Sequence, residues 1–388
     1  MKIRSRVWLA AATLLASTTA IGATTDQASA GPIAGARPGD GSAVVYIAAG
    51  GAPGLTNAYR YNSSGGDIEA GQIDATHYWI SFRNLGGGTY VNAQLTNWNA
   101  SYGPAVDPVC TIDKTKDTGI DVTVWFRCVP YPGDSLETAT MFINVTNRTH
   151  PDRAGVVAPG FVALTTADAA AAMSTPLNQY RSSGFGAATV ARTGVGTYTV
   201  TIPNGTFGWN EGTVFTTALS VSPAVDPAYT RYCNPQSWSP SGTSMRVFVR
   251  CYHGGGLLSD ARFSLRYTTH NHMGGTQPGG AQWVHTPNSA GYVAAGYGWN
   301  SAGGTNFVAT EMVPGELGIS RVTFNGGTHA PARIGSLMVV AYGGNHRCSL
   351  EFPGSGSEGY TFATVRCYQP LGGAAVPTGK YSVSLAQM

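Results

Sequence analysis

In three stretches of the chain every second residue is of a type that can face a protein core, and each stretch ends on a cysteine. The inward positions are Val122–Val124–Phe126–Cys128, Met245–Val247–Val249–Cys251 and Thr361–Ala363–Val365–Cys367. Successive side chains of a β-strand point to opposite faces, so a period of two predicts a half-buried strand. We therefore expect three strands that each turn a cysteine towards a core.

The six cysteines fall into three close pairs along the chain, Cys110 with Cys128, Cys233 with Cys251, and Cys348 with Cys367. The midpoint of each pair lies in a turn-forming stretch that contains glycine, at 116–119, 240–242 and 354–359. Directly opposed residues of an antiparallel pair are close enough for a disulfide. Each pair is therefore predicted to bridge the open end of a β-hairpin. A zinc site is the rival interpretation, but it needs Cys-x-x-Cys or nearby His spacing that the chain lacks.

Other landmarks recur in step with these pairs. The pentapeptide Pro-Ala-Val-Asp-Pro precedes the first cysteine twice, at 104–108 and 223–227, and an arginine precedes each second cysteine, at Arg127, Arg250 and Arg366. The period is about 115 residues, which is the size of a whole β-sandwich domain.

These patterns predict an all-β chain of three tandem disulfide-stapled antiparallel β-sandwich domains, either Ig-like or jelly-roll-like. The predicted parts are a signal peptide at 1–30, a flexible leading segment at 31–41, and repeats at 42–147, 155–269 and 282–388. One Ala-rich stretch, Thr166–Met173, is short and has no counterpart in the other repeats, so we interpret it as a loop.

Two glycine-rich stretches also match each other, Tyr59–Gly66 (Tyr-Arg-Tyr-Asn-Ser-Ser-Gly-Gly) and Tyr297–Gly304 (Tyr-Gly-Trp-Asn-Ser-Ala-Gly-Gly). Together with the Gly-x-Tyr step at Gly196–Tyr198 and the Val-x-Cys hairpins, they make nearly the whole mature chain resemble a group of tandem-repeat secreted proteins from filamentous soil bacteria. The middle repeat departs from the pattern at Arg181–Phe185. The resemblance implies export and repetition, and it assigns no catalytic residue.

The N-terminus has the pattern of a secretory signal peptide. Basic residues within 1–6 precede an apolar stretch from Val7 to Ala23, and Ala28–Ala30 is a small-x-small cleavage signal, with Ala23 as the nearer alternative. A membrane anchor is the competing interpretation, but the stretch is short and contains polar residues. We expect a secreted, extracellular protein, where disulfides form, and no membrane span after signal cleavage.

Charge argues against some partners. Removing residues 1–30 takes away three basic residues and one acidic residue, so the formal charge falls from +3 to +1. A near-neutral chain of which only 11% is charged gives no electrostatic reason to expect nucleic acid or an anionic membrane as partner.

Motifs for catalysis are absent or weak. The chain has no Gly-x-Ser-x-Gly, no His-Glu-x-x-His and no phosphate-binding Gly-x-x-x-x-Gly-Lys. His270 and His272 lie in a predicted connector, so we predict no metal site and no cofactor. Carboxylates that could pair for glycoside hydrolysis are Asp67, Glu69, Asp74, Asp134 and Glu137.

Two sets of residues are candidates for contact with a ligand. Arg127, Arg250 and Arg366 neighbour inward cysteines, so they should face solvent or an adjacent domain, where a scaffold role is the simpler interpretation. Trp98 and Trp209, each followed by asparagine, could stack on sugar rings, although packing in a β-sandwich is the simpler interpretation.

The sequence thus favours a non-catalytic extracellular module that binds, adheres or associates with the envelope, with an extracellular glycan or cell-surface polymer as partner. Three copies of a weak site would gain avidity without new chemistry. The alternative is a secreted polysaccharide-active hydrolase or lyase whose site lies in one divergent repeat or between repeats. The sequence does not indicate an oligomeric state.

The signal-peptide interpretation makes a direct prediction. Expression of the full chain in a secreting bacterial host should release a protein that begins at Thr24 or Gly31. Intact-mass spectrometry of the medium and of the membrane fraction tests this, and a full-length product held in the membrane would contradict it.

Overall fold

A computed structural model describes residues 40–48, 53–55, 61–88, 90–98, 109–129, 138–148, 161–166, 172–174, 176, 178–181, 185–204, 212–219, 231–268, 281–285, 298–300, 308–313, 318–324, 334–355, 361–370, 376 and 379–387. Within these ranges the chain is all-β, as the sequence predicts, and it contains no helix that could cross a membrane.

The antiparallel pairings keep to three consecutive parts of the chain, which we call the first (40–148), middle (161–268) and last (281–387) segments. The first segment contains β1 Asp40–Ala48, β2 Gly54–Leu55, β3 Tyr61–Asn62, β4 Ile68–Gln72, β5 His77–Phe82, β6 Tyr90–Trp98, β7 Val109–Asp117, β8 Val122–Val129 and β9 Thr138–Arg148. The middle segment contains β10 Phe161–Thr165, β11 Met173–Ser174, β12 Asn178–Arg181, β13 Thr189–Gly194, β14 Thr197–Ile202, β15 Thr213–Leu219, β16 Arg231–Ser241, β17 Ser244–His253 and β18 Arg262–Thr268. The last segment contains β19 Ala281–His285, β20 Gly298–Asn300, β21 Val308–Met312, β22 Ile319–Phe324, β23 Ile334–Ala341, β24 Arg347–Ser355, β25 Thr361–Tyr368 and β26 Tyr381–Gln387.

Each segment contributes two sets of paired strands. The set that contains the two cysteine strands, which we call the hairpin sheet, runs β4-β5-β8-β7, β11-β13-β14-β17-β16 and β21-β22-β25-β24 in the three segments. The other set, which we call the inner sheet, runs β2-β1-β9-β6, β12-β10-β18-β15 and β20-β19-β26-β23, with β3 also pairing with β1. The order of pairing is therefore closely similar in the three segments. The domain boundaries and the Ig-like or jelly-roll-like type stay predictions.

A hydrophobic core lies between the two sheets of each segment. In the first segment, Ile80 and Phe126 of the hairpin sheet pack in one cluster with Ile143 and Val145 of the inner sheet, and all four are buried. The alternation seen in the sequence explains this, because every second side chain of β5, β8 and β9 points to the same face. Complete burial of such a side chain stabilises the fold by roughly 1.5–3 kcal/mol.

The segments join edge to edge at three seams. Hairpin-sheet strand β7 makes a parallel bridge to β15 at Ile112 and Leu219, and β24 makes the same kind of bridge to β6 at Leu350 and Trp98. The equivalent contact between β16 and β23 is a hydrogen bond from the Gly343 amide to the Pro235 carbonyl, 3.0 Å long. Within each segment an inner-sheet edge strand also contacts a hairpin-sheet edge strand, namely β6 with β7, β15 with β16 and β23 with β24. These three contacts and the three seams together close a ring of six strands.

Pro235 explains why the third seam differs from the other two. It occupies the position two residues after the first cysteine, where the other hairpins have Ile112 and Leu350. Proline has no N–H and cannot donate to a ladder. Side-chain amides complete this seam instead: Asn234 Nδ2 donates to the carbonyls of Gly344 and His346, at 3.1 and 2.8 Å.

The ring also buries the outer faces of the inner sheets, and these faces carry polar side chains. Arg266 of β18 is fully buried against the first segment. Its Nε donates to Asn92 Oδ1 at 2.7 Å, and its Nη1 donates to Asn144 Oδ1. Ser264, on the same face, donates to the Ala93 carbonyl at 2.6 Å. The seam between the first and middle segments is therefore a hydrogen-bonded polar interface.

This network predicts that Arg266→Leu destabilises the folded chain by about 3 kcal/mol, because buried acceptors on Asn92 and Asn144 lose their donors. Urea denaturation followed by tryptophan fluorescence measures the effect. Arg246→Leu is the matched control, since Arg246 is exposed on β17, and it should change the free energy of unfolding by less than about 0.5 kcal/mol. Equal effects of the two variants would contradict the buried role.

Candidate functional site

The three disulfides close the hairpins as the sequence predicts. Cys110–Cys128, Cys233–Cys251 and Cys348–Cys367 are each directly opposed in register, with Cα atoms 4.1, 4.0 and 4.0 Å apart. Two of the predicted hairpin turns are within the described residues and contain Gly119 and Gly242, whose φ angles of +86° and +62° favour glycine. Each crosslink is worth roughly 3 kcal/mol on the chain-entropy view.

Every hairpin also has a β-bulge three residues after its first cysteine. The bulged residues are Asp113, Gln236 and Glu351. A bulge leaves one residue without a partner in the ladder and re-aims its side chain. In the first and last hairpins the bulge places a carboxylate beside the arginine that precedes the second cysteine, whereas in the middle hairpin Gln236 Nε2 donates to the Gly344 carbonyl at 3.1 Å.

The arginines meet these bulges in different ways. Arg127 Nη2 lies 3.5 Å from Asp113 Oδ1, and Arg366 Nε lies 3.0 Å from Glu351 Oε1. Both arginines are largely covered, with side chains 11% and 16% exposed, whereas Arg250 is exposed. All three arginines lie on the face opposite the inward cysteines, as the alternation predicts, but only Arg250 is exposed there. Arg127 and Arg366 form ion pairs within their own hairpins, which favours a scaffold role for them.

The first segment adds a histidine and a second carboxylate to its pair. His77 Nδ1 lies 2.7 Å from Asp74 Oδ2, and His77 Nε2 lies 3.9 Å from Asp113 Oδ2. Register pairs His77 with Arg127, while the matching partners of the other two arginines are Thr197 and Ile319. The cluster of Asp74, His77, Asp113 and Arg127 therefore belongs to the first segment.

The two carboxyl groups of this cluster respond oppositely to their surroundings. Slight burial tends to raise the pKa of Asp74, but hydrogen bonds from the Thr76 amide and from His77 outweigh it and hold the pKa at about 2. Burial raises the pKa of Asp113, against the attraction of Arg127 and His77. Acid–base sites use two carboxyl groups whose pKa values are shifted apart in this way. Here, however, the two groups lie on an open strand face.

Two tryptophans dominate the outward face of the same hairpin sheet. Trp79 and Trp125 are directly opposed on β5 and β8, and both are partly exposed. The Trp79 indole covers Gly71 of β4, where an added Cβ would lie 2.4 Å from ring atoms. The Lys114 ammonium lies 4.7 Å above the centre of the Trp125 ring. This arrangement is a broad aromatic surface that spans four strands.

Trp79 and Trp125 are not among the residues singled out from the sequence, although the alternation of their strands indicates their outward position. The alternation that turns Val124, Phe126 and Cys128 inward turns Trp125 outward, on the same face as Arg127. On β5, burial of Tyr78 and Ile80 likewise leaves Trp79 outward.

Outward-facing aromatic residues also occur on the other two hairpin sheets. Phe248 of β17 is 37% exposed and has Arg246 and Arg250 as its outward neighbours along the strand. In the last segment the Arg321 guanidinium lies 5.2 Å above the Phe362 ring. All three sheets therefore combine an aromatic ring with a cation on this face.

The described part of the chain contains a cavity where the three segments meet. Its volume is about 80 Å³, and its lining includes Thr96, Thr216, Tyr232, Asn234 and Arg347. This space holds roughly five water molecules at ~15 Å³ each, which is too small for a sugar ring or a peptide. Burial raises the pKa of Tyr232, whose hydroxyl donates to the Asn345 carbonyl at 2.5 Å. We interpret the cavity as the polar centre of the ring.

The tryptophans singled out from the sequence have different positions. Trp98 packs partly buried at the seam between the first and last segments, where its ring stacks on Phe142 and its Nε1 donates to the Glu351 carbonyl at 3.1 Å. Trp209 lies outside the described residues. Trp98 is therefore a packing residue, which was the simpler of the two interpretations.

Among the other candidates, Glu69 forms an ion pair of 2.7 Å with Arg83, while Asp134, Glu137, His270 and His272 lie outside the described residues. His346 lies beside Cys348 and Cys367, a grouping that could hold a metal if the sulfurs were thiolates. The disulfide between those two cysteines occupies both sulfurs.

The Asp74–His77 contact predicts a measurable titration. His77→Ala should raise the pKa of Asp74 from about 2 towards its ordinary 3.8, and the remaining amide hydrogen bonds should keep the change incomplete. Because the folded-state pKa is depressed, ionised Asp74 stabilises the fold above about pH 4, and this stabilisation is lost as the pH falls through about 2. Carboxyl carbon NMR from pH 1.5 to 6 measures the midpoint, with His253→Ala as control. An unchanged midpoint in His77→Ala would exclude the contact.

Comparison with known proteins identifies no relative: no protein-family model, no curated protein and no solved structure matches this chain.

Proposed function

We propose that the mature chain is a secreted, non-catalytic protein that binds an extracellular glycan or cell-surface polymer. The observation that carries the proposal is the repeated use of one face. Each hairpin sheet presents an aromatic ring and a cation on the side turned away from its own core, namely Trp125 with Lys114, Phe248 with Arg246 and Arg250, and Phe362 with Arg321.

Closure of the ring supports this assignment. The inner sheets use their outer faces at the seams, where residues such as Arg266, Ser264 and Ser384 are buried. The hairpin sheets are then the faces that remain for a partner. Three such faces on one chain would bind a repetitive polymer with avidity even if each contact were weak.

Export supports the same conclusion. Three disulfides are typical of proteins that fold in an oxidising compartment. The signal-peptide pattern at 1–30 agrees with this, and a polymer outside the cell is the partner that such a protein would meet.

A secreted polysaccharide hydrolase or lyase is the second candidate, and one observation favours it. Asp74 and Asp113 lie on either side of His77 beside an aromatic surface, and their pKa values shift in opposite directions. Acid–base pairs in glycoside hydrolysis show such a divergence. The open strand face argues against it, because catalysis gains from a site that excludes water.

One experiment tests both candidates. Mature protein (31–388) is applied to a glycan array and incubated with a panel of polysaccharides, and the release of reducing ends and of unsaturated products is measured. We expect binding to at least one glycan without release of product.

The outcomes separate the candidates. Product formed by the wild type and lost in Asp113→Asn would replace the binding proposal by the enzymatic one. Binding to no glycan and to no isolated cell-wall polymer would refute the proposed function.

A further inference from the structure

The outward residues of β4, β5, β8 and β7 form what we call the tryptophan face, with Gly71, Trp79, Trp125 and Lys114 at its centre. Register places Gly71 opposite Trp79, Trp79 opposite Trp125, and Trp125 opposite Lys114. These four residues therefore form one row across the sheet. Neighbouring strands lie about 4.8 Å apart, so the row is about 14 Å long, which is the length of two to three sugar units.

Gly71 leaves the space that the Trp79 ring occupies over β4. A Cβ at this position would approach the Trp79 indole to 2.4 Å, so any other residue would push the ring away from β4. With glycine the indole packs directly over the β4 backbone and stays partly exposed. A partly exposed indole held on a strand is suited to stack against the C–H face of a pyranose, whose apolar hydrogens meet the negative face of the ring.

Polar rows border the aromatic row on both sides. On one side Ser81 Oγ and Thr123 Oγ1 are 3.1 Å apart, and beyond them Arg83 pairs with Glu69 and Asp121. On the other side lies the cluster of Asp74, His77, Asp113 and Arg127. Hydroxyls, carboxylates and cations are all present, which is the mixture of donors and acceptors that sugar hydroxyls require.

The charges of the border argue against the other ligands that stack on aromatic rings. Single-stranded nucleic acid also stacks on tryptophan, but it needs a cationic track for its phosphates. Here Glu69, Asp74 and Asp113 place carboxylates on both sides of the row. A ligand without regular negative charge fits this surface better.

We infer that the tryptophan face binds the pyranose units of a neutral extracellular polysaccharide, with Trp79 as the stacking residue, Trp125 as the adjacent subsite and the polar rows as partners of the sugar hydroxyls. This inference rests on the proposed binding function and assigns that binding to the tryptophan face. It also makes the first segment the principal site, because the middle and last segments have Thr199 and Arg321 where the first has Trp79.

The test uses pull-down of the mature protein on microcrystalline cellulose and on chitin, followed by calorimetry with cellohexaose or chitohexaose, whichever corresponds to the bound polymer. Trp79→Ala should weaken binding at least about tenfold, which corresponds to the loss of about 1.4 kcal/mol. Gly71→Val should weaken it while both tryptophans remain, because it displaces the indole. Leu257→Ala, which removes an exposed apolar side chain from the loop between β17 and β18, outside the hairpin-sheet strands, is the control and should retain wild-type affinity.

Folding of the variants is checked by non-reducing mass mapping of the three disulfides and by the melting temperature. If Trp79→Ala is poorly folded, a measurement on the wild-type protein takes the place of the variant's affinity. It asks whether the hexasaccharide protects Trp79 from oxidation by N-bromosuccinimide. Equal affinity of the wild type and Trp79→Ala, equal losses in Trp79→Ala and Leu257→Ala, or no protection of Trp79 would refute the inference and leave the proposed function standing. Failure of the wild type to bind cellulose or chitin would also refute it, whereas failure on the whole glycan array and on cell-wall polymers refutes the proposed function itself.

Discussion

Pairing of exposed strand edges is the interaction on which the rest of this structure depends. Strands β6 and β7 of the first segment lie at sheet edges, as do β15 and β16 of the middle segment and β23 and β24 of the last. An edge strand presents backbone groups that need a partner and otherwise invite aggregation. Here each segment supplies the partner for the next, and the six edges close on one another. Closure fixes which faces are buried and which stay outside.

The seams are polar, which has a physical consequence. The outer faces of the inner sheets carry Arg266, Ser264 and Asn144 where a hydrophobic interface would carry aliphatic residues. Burial of these groups is favourable only when their hydrogen bonds are made, so the correct arrangement differs strongly in free energy from a shifted one. The third seam follows the same logic, since Asn234 supplies the hydrogen bonds that Pro235 cannot donate.

The regular features and the divergent features of the hairpins serve different purposes. Disulfide, bulge and arginine recur in all three hairpins, and in two of them the arginine forms an ion pair with the bulged residue. Such regularity is what a scaffold requires. The positions that differ, among them Trp79, Gly71 and His77, lie together on one face of the first segment. A specific ligand is best sought at the positions where the three segments have different residues.

The sequence by itself determined the hairpins. Alternation and cysteine spacing predicted which strands would pair, which side chains would face the core and which cysteines would bond, because these depend on local geometry with a period of two. Weaker patterns were missed: β4 contains Gly71 and β13 ends in a glycine, and both lack an apolar alternation.

Only the tertiary structure decided whether the polar faces of the inner sheets are buried or exposed to solvent. Alternation assigns Arg266 to the side away from its own core, and a half-buried strand would leave it in solvent. Whether that side meets water or another segment depends on contacts more than 100 residues apart in the chain, as between Arg266 and Asn144, and no local period encodes such contacts.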